Sequence, residues 1–333
     1  MFLHPGIIAL TLGSVVILIL VLSASALGIK IIRRWDIDSS SEEQLSLERK
    51  TYLISTLVHY ALAFEILSIF LFIYTAEDIH PLLVGAMCAT GSLNANIFGF
   101  PTLYVKIFSF FSSASWIAIN YLDNRAEYYP LIKTKYRLLI GISLILIIEF
   151  VLQIQYFVNI NPDVITSCCG VMFGEKGEGI ASSLASLPVK PAMTIFYSLL
   201  IVTIAGGVFS YKNPRRPFTL LFSIFAFVFF IVSLTSIISF ISLYFYQIPT
   251  HHCPFDILQK EYYYIGYPIY VFLFAGSFLG IITGVVEPFK RIPSLTQITL
   301  NAQKKWILYS IIALTIFALI ASAPIVLSPL KLN

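Results

Sequence analysis

The chain is 333 residues long, 58% hydrophobic and 11% charged, with a formal net charge of +4 and a mean hydropathy of +0.87. Soluble domains carry about 25% charged residues, so this composition excludes an ordinary aqueous enzyme and describes an all-α, polytopic membrane protein. Four cysteines are too few for a disulfide-rich scaffold, and basic residues in such a chain mark orientation before they mark a partner.

An apolar run of about 20 residues crosses the hydrocarbon core as a helix, and only helices or closed barrels satisfy their backbone there. About eight such runs follow in order, at 6–29, 52–75, 101–122, 138–160, 191–211, 217–247, 264–286 and 306–328. The first contains Ser23-Ala24-Ser25-Ala26, which resembles a signal-peptide cleavage site. Met1–Gly6 has no Lys or Arg, however, and Lys30–Arg34 follows the run directly, a polarity that predicts a retained span. Asp36–Glu48 then reads as a solvated loop with a short amphipathic helix. Gly85–Pro101, small and polar between two apolar spans, reads as the close-packed start of a helix or a re-entrant segment. The sixth run is long enough to tilt or to extend beyond the membrane.

Basic residues gather in alternate loops. Lys30, Arg33, Arg34, Arg49 and Lys50 follow span 1; Arg125, Lys133, Lys135 and Arg137 follow span 3. Lys212, Arg215 and Arg216 follow span 5; Lys290, Arg291, Lys304 and Lys305 follow span 7. The positive-inside rule places these loops in the cytoplasm and both termini outside, with Trp35 and Trp306 as interfacial anchors. Cys88, Cys168, Cys169 and Cys253 then all fall in outer loops, together with His4, His80, His251 and His252; His59, in span 2, is the exception. Thiols gathered on one face fit the oxidising side of a bacterial inner (plasma) membrane.

A repeat underlies this arrangement. Cys88 begins Cys-x4-Leu93-Asn94, followed by Gly99-Phe100-Pro101; Cys253 begins Cys-x4-Leu258-Gln259, followed by Gly266-Tyr267-Pro268. Each copy precedes the third span of a group of four. The expected organisation is therefore two parallel four-helix halves, 1–160 and 191–333, joined by an outer loop at 161–190 that carries Cys168-Cys169.

Three chemistries suit the outer residues. The cysteines form structural disulfides; or they exchange thiols and disulfides; or Cys88, Cys168, Cys169 and Cys253 join His251 and His252 at a metal or haem site. In the first two, Cys88 and Cys253 each pair with one member of Cys168-Cys169. Cys253 is the expected reactive thiol, because Pro254 suits the first turn of a helix whose dipole favours a thiolate. The segment Cys253-Pro254-Phe255-Asp256 looks like a Cys-Pro-x-Cys redox motif whose second cysteine has become Asp. Around Cys253, and in the four-helix unit, the chain resembles the membrane thiol oxidoreductases of the vitamin K epoxide reductase and DsbB type. The resemblance implies a quinone as cofactor and departs from those families in having no intact Cys-x-x-Cys.

Within the spans, Glu65 and Glu149 lie near mid-membrane, where charge is costly, and Lys106 is a candidate partner for either. With Asn94 they are candidates for a proton path or the polar end of a cofactor pocket; the alternative is neutral, hydrogen-bonded packing. Tyr262, Tyr263, Tyr264, Tyr267 and Tyr270 read as an interfacial belt. No phosphate-binding loop, nucleophile elbow, zinc-protease motif or covalent haem motif occurs, and the cytoplasmic loops are too short for a nucleic-acid-binding domain. Neither nucleotide nor nucleic acid is an expected partner; the bilayer and an extracytoplasmic redox protein are. The expected function is a membrane redox protein handling thiols or electrons at the outer face. The alternatives are a transporter with structural disulfides and a metal- or haem-binding anchor subunit of an extracytoplasmic redox complex.

Overall fold

A computed structural model describes residues 3–37, 39, 41–163 and 187–330. Cys168, Cys169 and most of the 161–190 loop lie outside the described residues. In chain order the helices are α1 (Pro5–Arg34), α2 (Glu42–Asp78), α3 (Ala89–Leu93), α4 (Gly99–Asp123), α5 (Ile132–Val158), α6 (Val189–Lys212), α7 (Arg216–Ser236), α8 (Ser242–Tyr246), α9 (Gly266–Val285) and α10 (Pro293–Leu327). A π-helical turn at Ile237–Ile241 joins α7 to α8. No strand occurs among the described residues. Eight helices are long and apolar enough to cross a membrane, and the chain is an integral membrane protein. Before its basic last turns α1 exposes large apolar side chains, among them Leu12, Val16 and Ile19, spaced to form one lipid-facing stripe.

The helices outrun the apolar segments that reveal them. Hydropathy reports which residues lipid tolerates, whereas a helix continues until its hydrogen-bond ladder is capped. Thus α2 starts at Glu42, inside the stretch expected to be a loop. The Ser41 Oγ accepts the Gln44 N–H, in a Ser-x-x-Gln pattern of the capping-box type, and Glu42 and Glu43 occupy the positive first turn. Likewise α10 starts at Pro293, a residue suited to the first helical position, well before the expected 306. The spans after the two motif copies begin at their glycines, α4 at Gly99 and α9 at Gly266.

The chain divides into two units. The first comprises Met1–Thr75, Asn96–Ile160 and Phe289–Ile298; the second comprises Ala76–Ala95, Asn161–Pro288 and Thr299–Asn333. The segment with Cys88 is thus folded into the same unit as Cys253. In the first unit, Ile17, Val21, Leu62, Trp116, Tyr136 and Leu139 belong to one buried core. α1 meets α5 closely at Gly28, where a Cβ would lie 2.8 Å from the Tyr136 ring. In the second unit, the rings of Phe196, Phe229 and Phe317 stack at 5.5–6.1 Å. There α7 approaches α9 at Gly280, whose Cβ would fall 2.5 Å from that of Ala226.

Candidate functional site

The second unit brings Cys88 and Cys253 together. Their Sγ atoms are 3.4 Å apart across 165 residues of sequence, and both side chains are fully buried. Cys88 is the N-cap residue of the five-residue α3. Cys253 lies in an extended stretch before a three-residue 3-10 turn, Asp256–Leu258, so no helix of useful length starts there. Its sulfur instead accepts the Phe255 N–H at 3.4 Å and shares a hydrogen bond with the Thr90 hydroxyl at 3.4 Å, which can serve as donor once the thiol is ionised. Donors of this kind favour a thiolate, in place of the helix dipole expected from Pro254.

Two tyrosines fix this loop. The Tyr246 hydroxyl donates to the Cys253 carbonyl at 2.5 Å and accepts the Ile257 N–H at 3.0 Å. The Tyr270 hydroxyl donates to the Pro254 carbonyl at 2.7 Å, so Tyr270 is a buried strut rather than part of an interfacial belt. The Cys88 side is held by Glu77, which accepts the Ala89 N–H at 2.6 Å and the Gln259 side-chain amide at 2.8 Å. Gln259 also donates to the Met87 carbonyl at 2.9 Å, which ties the two cysteine segments to each other. Glu77→Ala leaves the buried Ala89 N–H without its acceptor. An unmade buried bond costs about 1–3 kcal/mol, so the variant should lose thermal stability by that order. Oxidant-driven joining of Cys88 to Cys253, timed by alkylation, should slow with it.

Asp256 completes the cluster. Ligand atoms of Cys88, Cys253 and Asp256 lie within 4.8 Å of one another, so two thiolates and a carboxylate could hold one soft or borderline metal ion. The histidines take other positions. His251 Nε2 contacts the Asp256 carboxylate, and His252 Nδ1 contacts the Ile238 carbonyl at 2.9 Å. Among the described residues the ligand atoms that converge are thus those of Cys88, Cys253 and Asp256, with the expected ligand pair His251 and His252 beside them. The hydrogen bond that His251 donates to Asp256 raises the His251 pKa above its ordinary value, and burial raises that of Asp256. Carboxylate and imidazole together form a hydrogen-bonded pair whose His251 end is partly exposed.

The first unit assembles three of the four residues singled out within the spans. Lys106 Nζ lies 2.5 Å from Glu149 Oε1 and 3.1 Å from Ser68 Oγ; Ser68 donates to Glu65 at 3.1 Å. All four are buried. Asn94 ends α3 in the second unit and is not part of this network. A second buried ion pair joins Lys135 to Asp123 at 2.7 Å. There Lys135 also donates to Asn120 Oδ1 at 3.1 Å, which accepts the Ser55 hydroxyl at 2.8 Å. Lys135, expected in a basic loop, is instead 1% exposed in the first turns of α5. Asp123 is placed to pair with it because its other oxygen accepts the Leu131 N–H at the start of α5.

Comparison with family models, curated proteins and solved structures returns no match. Tyr246, Thr90, Glu77 and Ser68 were not legible as site residues, since each is an ordinary residue of an apolar or small-residue segment. The one available signal was Gln259, at the repeat position that Asn94 shares.

Proposed function

We propose that this chain is an integral-membrane thiol oxidoreductase whose redox couple is Cys88 and Cys253. The observation that carries the reading is the contact of two buried sulfurs from distant segments, in a loop cluster pinned by Glu77, Tyr246 and Tyr270. In the oxidising direction each thiol gives up a proton, the sulfurs bond, and two electrons pass to an acceptor of the quinone class, which takes up two protons to become a quinol. Cys253, which accepts the Phe255 N–H and lies beside the Thr90 hydroxyl, carries the thiolate. Asp256 receives the proton beside the sulfurs and passes it to His251. The distribution of basic loops supports an extracytoplasmic location for the thiols, facing a redox protein outside a bacterial inner membrane.

A redox titration of the intact protein, quenched by alkylation and read by mass spectrometry, tests this. Cys88 and Cys253 should titrate together as a two-electron couple above about −300 mV, the level below which structural disulfides lie. A couple below that level, or labelling that does not respond to potential, assigns the pair to a structural staple. The transporter reading draws on a different observation, the ionic network of Glu65, Lys106 and Glu149.

A further inference from the structure

The polar groups of the first unit keep a common register. Ser68 of α2, Lys106 of α4 and Glu149 of α5 meet at one level; Ser55, Asn120 and Lys135 of the same helices meet at another. The two levels are about 14 residues apart on each helix, or roughly 20 Å at 1.5 Å per residue. The upper level holds two carboxyl groups and one ammonium. Left with both carboxylates ionised, it would carry an uncompensated charge inside the membrane, and binding one proton is far cheaper than that. Among the described residues Glu149 Oε2 has no hydrogen-bond partner, and Glu65 joins the network through Ser68, which accepts from Lys106 Nζ and donates to Glu65 Oε1. Protonation of one of the two carboxyls leaves one carboxylate to balance the single ammonium.

The surroundings of this cluster differ at its two ends. Beyond Glu149, away from Lys135, the rings of Phe72, Tyr156 and Phe157 close on one another at 5.1–6.2 Å. The Phe72 ring covers Lys106 Nζ at 5.6 Å. On that side the Thr102 hydroxyl of α4 donates to the Phe98 carbonyl, and the buried Gln153 amide of α5 donates to Ser14 of α1. Toward Lys135, α4 places Ser109 and Ser113 one and two turns from Lys106. Both are fully buried, and neither hydroxyl has a hydrogen-bond partner. Next on the same face is Trp116, whose indole N–H donates to the Lys135 carbonyl at 3.0 Å. Past it lies a cavity of about 240 Å³, lined by Ser55, His59, Asn120 and Lys135 among others, polar and large enough to hold several waters.

We infer that Glu65, Glu149 and Lys106 form a proton-binding site inside the first unit, which exchanges its proton with water from one end only, past Ser109 and Ser113 and through the cavity at Asn120 and Lys135. The proton leaves the carboxyl pair of Glu65 and Glu149, is relayed by water recruited to the two serine hydroxyls, and passes Trp116 into the cavity. Among the described residues, Tyr156 in the aromatic seal is the ionisable group packed beside the cluster. α1, packed on α5, carries none between His4 and Lys30, and His59, Asp123 and Lys135 lie at the cavity level. This site is independent of the thiol couple and stands whether or not that couple is redox-active.

Infrared spectroscopy of the full chain in lipid nanodiscs, in H2O and then D2O, tests it. The wild-type protein should show a protonated carboxyl band at neutral pH that Glu65→Gln or Glu149→Gln removes. The Ser109→Ala/Ser113→Ala pair should keep the band and slow its deuterium shift about tenfold or more, the factor produced by about 1.4 kcal/mol of barrier. Thr102→Val, on the sealed side, should leave the rate unchanged. Absence of the band from the wild-type spectrum, which needs no variant to fold, overturns the proton site. A shift unaffected by the serine pair, or slowed equally by Thr102→Val, overturns the one-ended path.

Discussion

Mild oxidation of the intact protein should join Cys88 to Cys253 in a single intrachain bond, recovered as one cross-linked pair of peptides. A disulfide holds its sulfurs at about 2.05 Å, and these stand at 3.4 Å, so closure takes a side-chain adjustment rather than a movement of helices. Cys88→Ser or Cys253→Ser should abolish both the cross-link and thiol-dependent electron transfer to a quinone, while leaving the protein folded, because the loops are held by Glu77, Gln259, Tyr246 and Tyr270 and not by the sulfurs. Recovery of Cys88 and Cys253 each bonded to Cys168 or Cys169 in the fully oxidised protein would instead restore the arrangement that sequence alone suggested. Cross-linking in Cys168→Ser/Cys169→Ser separates the two outcomes, since the direct bond needs neither residue.

Lys106→Met should be among the most damaging single substitutions in the chain. It removes the cation 2.5 Å from Glu149 without changing side-chain length much, and leaves a buried carboxylate without its counter-ion. Breaking a buried pair by removing one partner costs about 3–5 kcal/mol. Thermal unfolding in detergent should show a loss of that order, or a failure to accumulate folded protein. Adding Glu149→Gln to the same chain should recover most of it, because the uncompensated charge is then gone, and the double-mutant cycle reads the coupling directly. Equal losses in the single and double variants would assign Lys106 to packing against Phe72 instead of to charge.

The number of spans and their approximate positions were legible because the bilayer imposes one requirement, about 20 apolar residues in a row, that residue type alone can satisfy. Helix ends were less legible. Glu42–Glu48 and Pro293–Lys305 are polar segments that lipid would reject but that a capped helix accepts, and the Ser41-Glu42-Glu43-Gln44 pattern was the readable clue. Glu65, Glu149 and Lys106 could be singled out as costly inside a membrane, since charge there has to be compensated. That Lys106 reaches Glu149 and Ser68, and that Lys135 leaves its basic loop to pair with Asp123, follows from helix register, which single-chain hydropathy does not encode. The same holds for the thiols. Sequence marked Cys88 and Cys253 by their matching motifs, but a motif cannot say which sulfur meets which. That was decided by Glu77 and Gln259, whose hydrogen bonds draw two segments together in one unit, because a buried backbone N–H must find an acceptor wherever in the chain that acceptor lies.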